Sequence, residues 1–240
     1  MSLIERVDLA SAFVLHARRW RETSELLDVI TCEHGRVSLL ARGLRRPRSG
    51  LRAILQAFQP LSLSWSGRAG GLMTLRAAEP DGPAAPLRGK SLMAGFYLNE
   101  LLLRFLQRSD PHPRLFEAYA RTLGALADGT APEAGLRRFE LLLLAETGYG
   151  LNLDHDASSG ERLRPGGSYV YVLERGPVPA SVGMPAGLEF SGAELLAIGQ
   201  GVFPDLPSLS AARRLLRAVL DHHLDGQPLR TREVYVAMRR

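Results

Sequence analysis

Short apolar runs bounded by turn residues recur through the first 80 residues. They are rich in Val, Ile and Leu, which favour β-strands. Five runs share this pattern: FVLH at 13–16, ELLDVITC at 25–32, RVSLLARG at 36–43, QAFQPLSLSW at 56–65 and LMTLRAA at 72–78. Between the second and third runs, Gly35 can take the positive φ that a three-residue hairpin loop needs. Five short strands predict a small barrel, for which the OB-fold is the commonest five-stranded form.

The hydrophobic period changes after residues 80–88, PDGPAAPLR, whose three prolines and one glycine indicate a domain boundary. Helical periodicity then predicts three helices, at 91–107, 114–127 and 132–147. Residues 150–188 are rich in glycine, lose this period and contain one strand-like run, YVYVL.

Two more helices are predicted after this insert. Ser191 and Glu194 form a capping box for the first, and the second spans about 208–224. The pattern therefore predicts an α+β fold, with a barrel domain at 1–80 and an α-helical domain at 81–240 that carries an irregular insert.

The positive charge is concentrated in the barrel region. The formal net charge is +5, and the first 80 residues hold 12 arginines against 7 acidic residues. No carboxylate occurs between Glu33 and Glu79, whereas eight arginines do. A solvated face of a neutral domain usually mixes both signs, so this region favours a polyanionic partner such as nucleic acid.

Two clusters within this region are the candidate nucleic-acid contacts. The first is predicted in the loop between strands one and two: Arg18, Arg19, Trp20 and Arg21. The second follows the third strand: Arg42, Arg45, Arg46, Arg48 and Arg52. Arginines neutralise phosphates, and an aromatic side chain between cations can stack on a base. The plainer interpretations are a solvated loop and, for Trp20, a core position at the barrel end. Phe58 and Trp65 are predicted as barrel core.

Catalytic and metal-binding motifs are weak in this sequence. It contains no phosphate-binding GxxxxGK[ST] loop, GxSxG elbow, HExxH pair or paired cysteines. Adjacent helical residues point about 100° apart, so His222 and His223 are not expected to share an ion. A lone Cys32 indicates a core residue and a reducing cytoplasm, and no apolar run is long enough to span a membrane. We therefore expect no catalytic residue, cofactor or metal.

Several stretches resemble the RecO family, in the same order and over most of the chain. They are FVLHARRWRETSELLDVITCEHGRVSLLARG at 13–43, LQAFQPLSLSW at 55–65, YLNELLLRFL at 97–106 and LRRFELLLLAETGYGLNL at 136–153. The resemblance implies an N-terminal OB-fold, an α-helical domain and a non-enzymatic mediator of recombination in DNA repair. Such a protein binds single- and double-stranded DNA and anneals complementary strands.

The resemblance also implies protein partners. RecR would act with the chain to load RecA onto DNA coated by single-stranded DNA-binding protein (SSB). The acidic, Phe-ended tail of SSB would be received by the third predicted helix, at Arg137, Arg138, Phe139 and Leu142. A terminal carboxylate suits an arginine, and a terminal Phe suits an apolar groove beside it. A cytoplasmic, nucleoid-associated monomer is expected.

One departure from the family concerns zinc. Many members carry a four-cysteine element that begins Cys-x-x-Cys-Gly, whereas this chain has Asp156-Ala-Ser-Ser159-Gly160 there. The insert is therefore expected to be zinc-finger-like without metal ligands. Two other functions stay open at this point: an OB-fold RNA-binding protein, and a metal-dependent nuclease using His155, His222 or His223.

Overall fold

The computed structural model describes residues 4–46, 49–68, 71–130, 132–180, 188–224 and 226–237, except for the side chains of 235 and 236. These residues divide into two compact units, one up to Thr130 and one from Pro132 onward. The barrel itself ends at Pro80, and two helices after it belong to the same compact unit. The assignment of domains at 1–80 and 81–240 stays a prediction.

Five strands form a closed barrel in the first unit, as predicted. They are β1 (Ile4–Trp20), β2 (Ser24–Thr31), β3 (Gly35–Ala41), β4 (Leu61–Arg68) and β5 (Met73–Pro80). Their order around the barrel is β1-β2-β3-β5-β4, and β1 pairs with β4 to close it. All neighbouring strands are antiparallel except β3 and β5. The expected α+β class with an N-terminal five-stranded barrel is confirmed.

Alternating side chains of these strands fill the barrel. Ala10, Ala12 and Val14 of β1 point inward, and Trp65 of β4, 2% exposed, lies in the same cluster as predicted. Phe58 is buried as predicted, but it lies outside the barrel cluster, so its placement within the barrel was wrong. Phe58 lies in the turn before β4, and its ring centroid is 5.2 Å from that of Phe96 on a helix.

β1 is much longer than the four residues predicted for it. Arg18, Arg19 and Trp20 were predicted in a loop, but they lie on β1 and pair with β2 as far as Trp20 opposite Ser24. Residues 16–20 are all exposed on both faces of this hairpin. The alternation that marks a half-buried strand is therefore missing there, which is why the prediction of a loop was wrong.

Three helices complete the first unit. They are α1 (Leu51–Ile54), α2 (Gly89–Phe105) and α3 (Pro113–Asp128). The buried Asn99 side chain on α2 donates to the Leu15 carbonyl of β1 at 2.9 Å and accepts from the Tyr119 hydroxyl of α3 at 2.6 Å. Because buried polar groups need partners, this chain of hydrogen bonds fixes both helices on the barrel.

The second unit contains four helices and a small sheet among its described residues. They are α4 (Pro132–Glu146), β6 (Ser168–Val172), β7 (Gly176–Pro179), β8 (Leu188–Ser191), α5 (Gly192–Gly199), α6 (Leu206–His223) and α7 (Arg230–Ala237). The insert forms a three-stranded antiparallel sheet in the order β7-β6-β8, where one strand was predicted. The capping box is confirmed: the Glu194 amide donates to Ser191 Oγ at 3.2 Å. The short, polar α7 was not predicted.

Candidate nucleic-acid interface

The two arginine clusters lie at the same end of the barrel. The first cluster lies at the exposed tip of the β1–β2 hairpin. The second cluster begins directly after β3. Glu25 on β2 pairs with Ala41 at the end of β3. The Arg45 amide donates to the Thr23 carbonyl at 3.0 Å, and its guanidinium donates to the Glu22 carbonyl at 3.3 Å. The loop after β3 is thus hydrogen-bonded to the hairpin turn.

We call this surface the arginine end. Its described members are Arg18, Arg19, Trp20, Arg21, Arg42, Arg45, Arg46 and Arg52. All of them are exposed except Arg45, which is half-buried. Arg48 lies outside the described residues. Seven described arginines accompany two glutamates of the hairpin, Glu22 and Glu25, so the surface carries a strong positive excess.

The loop after β3 keeps its shape through Gly43. This residue has φ +69°, a conformation that suits glycine. A Cβ at Gly43 would lie 3.4 Å from Arg46 Cδ, so the Arg46 side chain folds closely over it. Arg52 follows on α1, where Leu51 and Ile54 pack against the barrel core. Arg42, Arg46 and Arg52 are therefore exposed, and local contacts of Gly43 and α1 hold the described backbone beside them.

Trp20 is not core at the barrel end. Its side chain is 37% exposed, and it is the last residue of β1. Alternate residues of a strand share a face, so Arg18 lies on the same side of the strand as Trp20. This places a cation beside an accessible aromatic ring, the pair of groups that single-strand binders use for phosphate contact and base stacking.

Not every arginine in the acid-free run belongs to this surface. Arg36 is half-buried on β3, and its guanidinium donates to the Leu103 carbonyl of α2. Burial lowers the pKa of Arg36 below the ordinary value of a guanidinium. Its backbone carbonyl also accepts from the Ser109 amide at 3.0 Å. Arg36 therefore connects the barrel to the helical layer of the same unit.

The residues predicted to receive an acidic tail occupy different depths of α4. Phe139 is 1% exposed and Leu142 is half-buried. Arg137 Nη2 lies 2.8 Å from Oε1 of Glu140, whose side chain is fully buried. Arg138 is exposed, and its Nε donates to the Gly201 carbonyl at 2.9 Å. Arg138 and Leu142, one turn apart, are thus the accessible members of the predicted set.

Arg138 borders an exposed apolar strip that runs from the segment after α5 to the first residue of α6. Its guanidinium carbon lies 5.9 Å from the centre of the Phe203 ring. Val202 is 49% exposed and Leu206 is 78% exposed. A cation beside exposed apolar side chains matches the chemistry of an acidic peptide with an aromatic end. The sequence did not indicate that residues 201–206 lie near Arg138, because they are distant from α4 along the chain.

The helical separation of His222 and His223 does not keep their ligand atoms apart. One ligand atom from each of Glu174, His222 and His223 lies within 4.8 Å of the others. The directions of two Cβ atoms differ by about 100° on a helix, but imidazoles are long enough to converge beyond it. The third histidine of the nuclease alternative has one acidic neighbour. His155 Nδ1 lies 2.9 Å from an Asp154 oxygen. Asp156 is instead hydrogen-bonded within its own loop.

The loop at 156–160, where the resemblance implied a four-cysteine element in other members, is organised around the Asp156 carboxylate. Its oxygens accept from the Ser158 amide at 2.7 Å and from the Ser159 hydroxyl at 2.8 Å. These hydrogen bonds, led by the Ser158 amide, hold the pKa of Asp156 below its ordinary value of 3.8. A carboxylate already engaged by a hydroxyl and an amide does not fit a structural zinc ion, which needs sulfur or imidazole donors. Cys32 is half-buried in the turn after β2, rather than within the strand as predicted.

Comparison with known proteins assigns the family. The family model described as Recombination protein O N terminal matches residues 7–83, and the one described as Recombination protein O C terminal matches residues 87–233. The chain belongs to the RecO family. As a RecO protein it is placed among recombination mediators and not among catalytic families. In the described part of the chain, no helix is long and apolar enough to cross a membrane.

Curated RecO relatives match along nearly the whole chain. A protein named DNA repair protein RecO from Azoarcus sp. (strain BH72) is 46% identical over 237 residues, 98% of this chain and 97% of that relative. The protein of the same name from Aromatoleum aromaticum is 47% identical over 98% of this chain and 97% of its own. That from Nitrosospira multiformis is 46% identical over 96% and 95%. The similarity therefore covers both compact units.

Proposed function

We propose that this RecO protein serves DNA repair by binding the phosphates of single- and double-stranded DNA at the arginine end. The observation that supports this most directly is the union of two arginine clusters by the hydrogen bonds of Arg45 to the hairpin turn. Arginine binds phosphate without regard to sequence, and the released counterions make such binding strongly salt-dependent. Trp20 adds a stacking surface that only an unpaired base can use.

Strand annealing follows from the same electrostatics. Two complementary strands repel each other through their phosphates, and a dense set of cations lowers that repulsion while leaving the base edges free. No nucleotide hydrolysis is required, because the proposed step moves downhill toward the duplex. The barrel acts as a shared counterion for both strands during pairing.

We further propose that the acidic tail of SSB binds beside Arg138. The exposed guanidinium supplies a partner for carboxylates, and Leu142, Val202 and Leu206 supply apolar surface. Binding of the tail raises the concentration of this protein at SSB-coated DNA. RecR then joins the complex and RecA gains access to the strand. We also propose that the protein is a monomer that acts in the cytoplasm, associated with the nucleoid.

The DNA-binding surface is tested by removing three exposed arginines, in the variant R18A/R42A/R46A. Log affinity falls with log salt, and for single strands each lost phosphate contact makes this slope less steep by about 0.7. We therefore expect a slope that is less steep by about 2, and much weaker binding at low salt. Fluorescence anisotropy of a labelled oligonucleotide over a salt series measures both quantities.

A matched control removes three exposed arginines outside this surface: Arg68, Arg76 and Arg121. That variant carries the same net charge as the first, so a general effect of charge would appear in both. The proposal predicts a nearly unchanged slope for the control. Equal losses of affinity in the two variants would place DNA binding elsewhere on the protein, and tighter binding of RNA than of DNA at matched salt would favour an RNA-binding function.

A further inference from the structure

Three side chains with metal-binding atoms meet where the insert turn approaches the end of α6. Glu174 lies in the turn between β6 and β7, and His222 and His223 are the last two residues of α6. Their ligand atoms lie within 4.8 Å of one another. These residues belong to neither the arginine end nor the surface around Arg138, so the proposed function leaves them without a role.

We propose that Glu174, His222 and His223 form a binding site for a divalent transition-metal ion of the Zn²⁺ class. Two imidazoles and one carboxylate are a donor set that zinc accepts, with water completing four ligands. Mg²⁺ and Ca²⁺ take oxygen ligands and are poorly served by imidazole. The ion would join the β6–β7 turn to α6, two elements far apart in sequence.

The distances suit such an ion after small side-chain movements. Ligand atoms bound at about 2.1 Å in a tetrahedron lie about 3.4 Å from one another. Oε1 of Glu174 and Nε2 of His222 are 3.0 Å apart. The Glu174 side chain is 69% exposed and that of His222 is 40% exposed, so both can rotate without disturbing the core. The site therefore assembles without a change in the backbone.

A neighbouring ring orients one of the three ligands, and the backbone of another is unusual. The His223 ring stacks on Tyr149, with centroids 4.2 Å apart and planes inclined by 30°. Glu174 has φ +62°, a backbone conformation that few residues other than glycine, asparagine or aspartate adopt. A carboxylate is thus held at a turn position where its backbone is unfavourable, beside two imidazoles.

A hydrogen bond between Glu174 and His222 is the competing explanation for the same contact. An ion pair of this kind needs a proton on His222, whereas a bound metal replaces that proton. The two explanations differ in the role of His223, because the ion pair needs only His222 and the metal needs both rings. Variants of all three residues therefore separate them.

The test uses the tag-free, full-length protein with Zn²⁺ and Co²⁺ as probes. Calorimetry with Zn²⁺ is expected to give one ion per chain, and Co²⁺ is expected to give the visible absorption of a tetrahedral site. Each of E174Q, H222Q and H223Q should weaken Zn²⁺ affinity at least about tenfold, since each removes a ligand. Zn²⁺ should also raise the unfolding temperature of the wild type, because binding stabilises the folded state.

The control is H155Q, because His155 pairs with Asp154 at 2.9 Å but lacks a third ligand in the described cluster. It should leave Zn²⁺ affinity unchanged, and Mg²⁺ should not compete. Circular dichroism checks that every variant is folded. Absence of stoichiometric binding, equal weakening by H155Q, or unchanged affinity in E174Q or H223Q would each overturn the proposed site.

Discussion

Arg137 and Arg138 are neighbours in sequence, yet they differ in burial and in the groups they contact. Arg137 neutralises the buried carboxylate of Glu140 at 2.8 Å, and its own side chain is only 13% exposed. Arg138 lies at the surface beside Phe203. Under the proposal of tail binding, loss of either side chain would weaken binding of a tail peptide, but only loss of Arg137 would do so by disturbing the fold.

We predict that R137A destabilises the protein by about 3–5 kcal/mol, because it removes the cation that pairs with the buried Glu140 carboxylate. R138A should change stability by less than about 0.5 kcal/mol, as surface substitutions usually do, while weakening an acidic, Phe-ended peptide severalfold. Chemical denaturation and peptide titration of the same two variants measure these effects. A stable R137A, or an R138A that binds the peptide as wild type does, would contradict the assignment.

At the scale of elements, the Asp156 loop organises the part of the insert that precedes its small sheet. The Asp156 amide donates to the Glu161 carbonyl at 2.8 Å, and the Gly160 amide donates to the Asp156 carbonyl at 2.8 Å. Together with the two hydrogen bonds to its carboxylate, these contacts make one aspartate the centre of a closed loop. The adjacent sheet β7-β6-β8 is joined to it through the bond from the Ala157 amide to the Pro177 carbonyl.

The lowered pKa of Asp156 gives this loop a defined pH dependence. A carboxyl whose pKa is depressed by folding contributes stability above its ordinary value of 3.8, and this contribution is lost as pH falls through the folded value. We therefore predict that protection of the insert amides from hydrogen exchange declines below about pH 4 in the wild type. D156N should show weakened protection already at neutral pH.

D205N serves as the matched control, since Asp205 caps α6 through the Ser208 amide and its pKa is lowered in the same way. Its loss of protection should be confined to the start of α6. If D156N and wild type protected the insert equally at neutral pH, the carboxylate would not be the organising group.

The elements that the sequence predicts best are those with a clear hydrophobic period. The barrel strands and helices α2 to α4 follow their apolar patterns, and Gly35 has the expected positive φ of +64°. The sequence could not show a second requirement for glycine at position 35. A Cβ there would lie 2.1 Å from the Asp110 carbonyl oxygen. β7 (Gly176–Pro179) was missed because its Gly and two prolines are turn residues.

The candidate surfaces were predictable in composition but not in arrangement. The acid-free run identified the arginines, yet only folding separates Arg36, turned toward α2, from Arg42 and Arg46 at the surface. A charge pair at i and i+3, such as Arg137 and Glu140, usually belongs to a solvated helix face. Its burial depends on packing across the unit, which no local pattern encodes.

At the scale of the whole molecule, DNA binding and tail binding are assigned to different compact units. The arginine end belongs to the barrel unit, and Arg138 with its apolar strip belongs to the second unit. Annealing of free strands should therefore need only the arginine end. Annealing of strands already coated by SSB should need both surfaces, because the tail brings the protein to the coated strand.

The most direct test of this combination is the annealing rate of complementary oligonucleotides coated with SSB, without any nucleotide. We expect the wild type to accelerate pairing when SSB carries its acidic tail, and to lose most of that acceleration when the tail is removed. R138A should behave with intact SSB as the wild type does with tailless SSB, and R18A/R42A/R46A should be slow with both. Equal rates for intact and tailless SSB, or no acceleration by the wild type, would contradict the central claim.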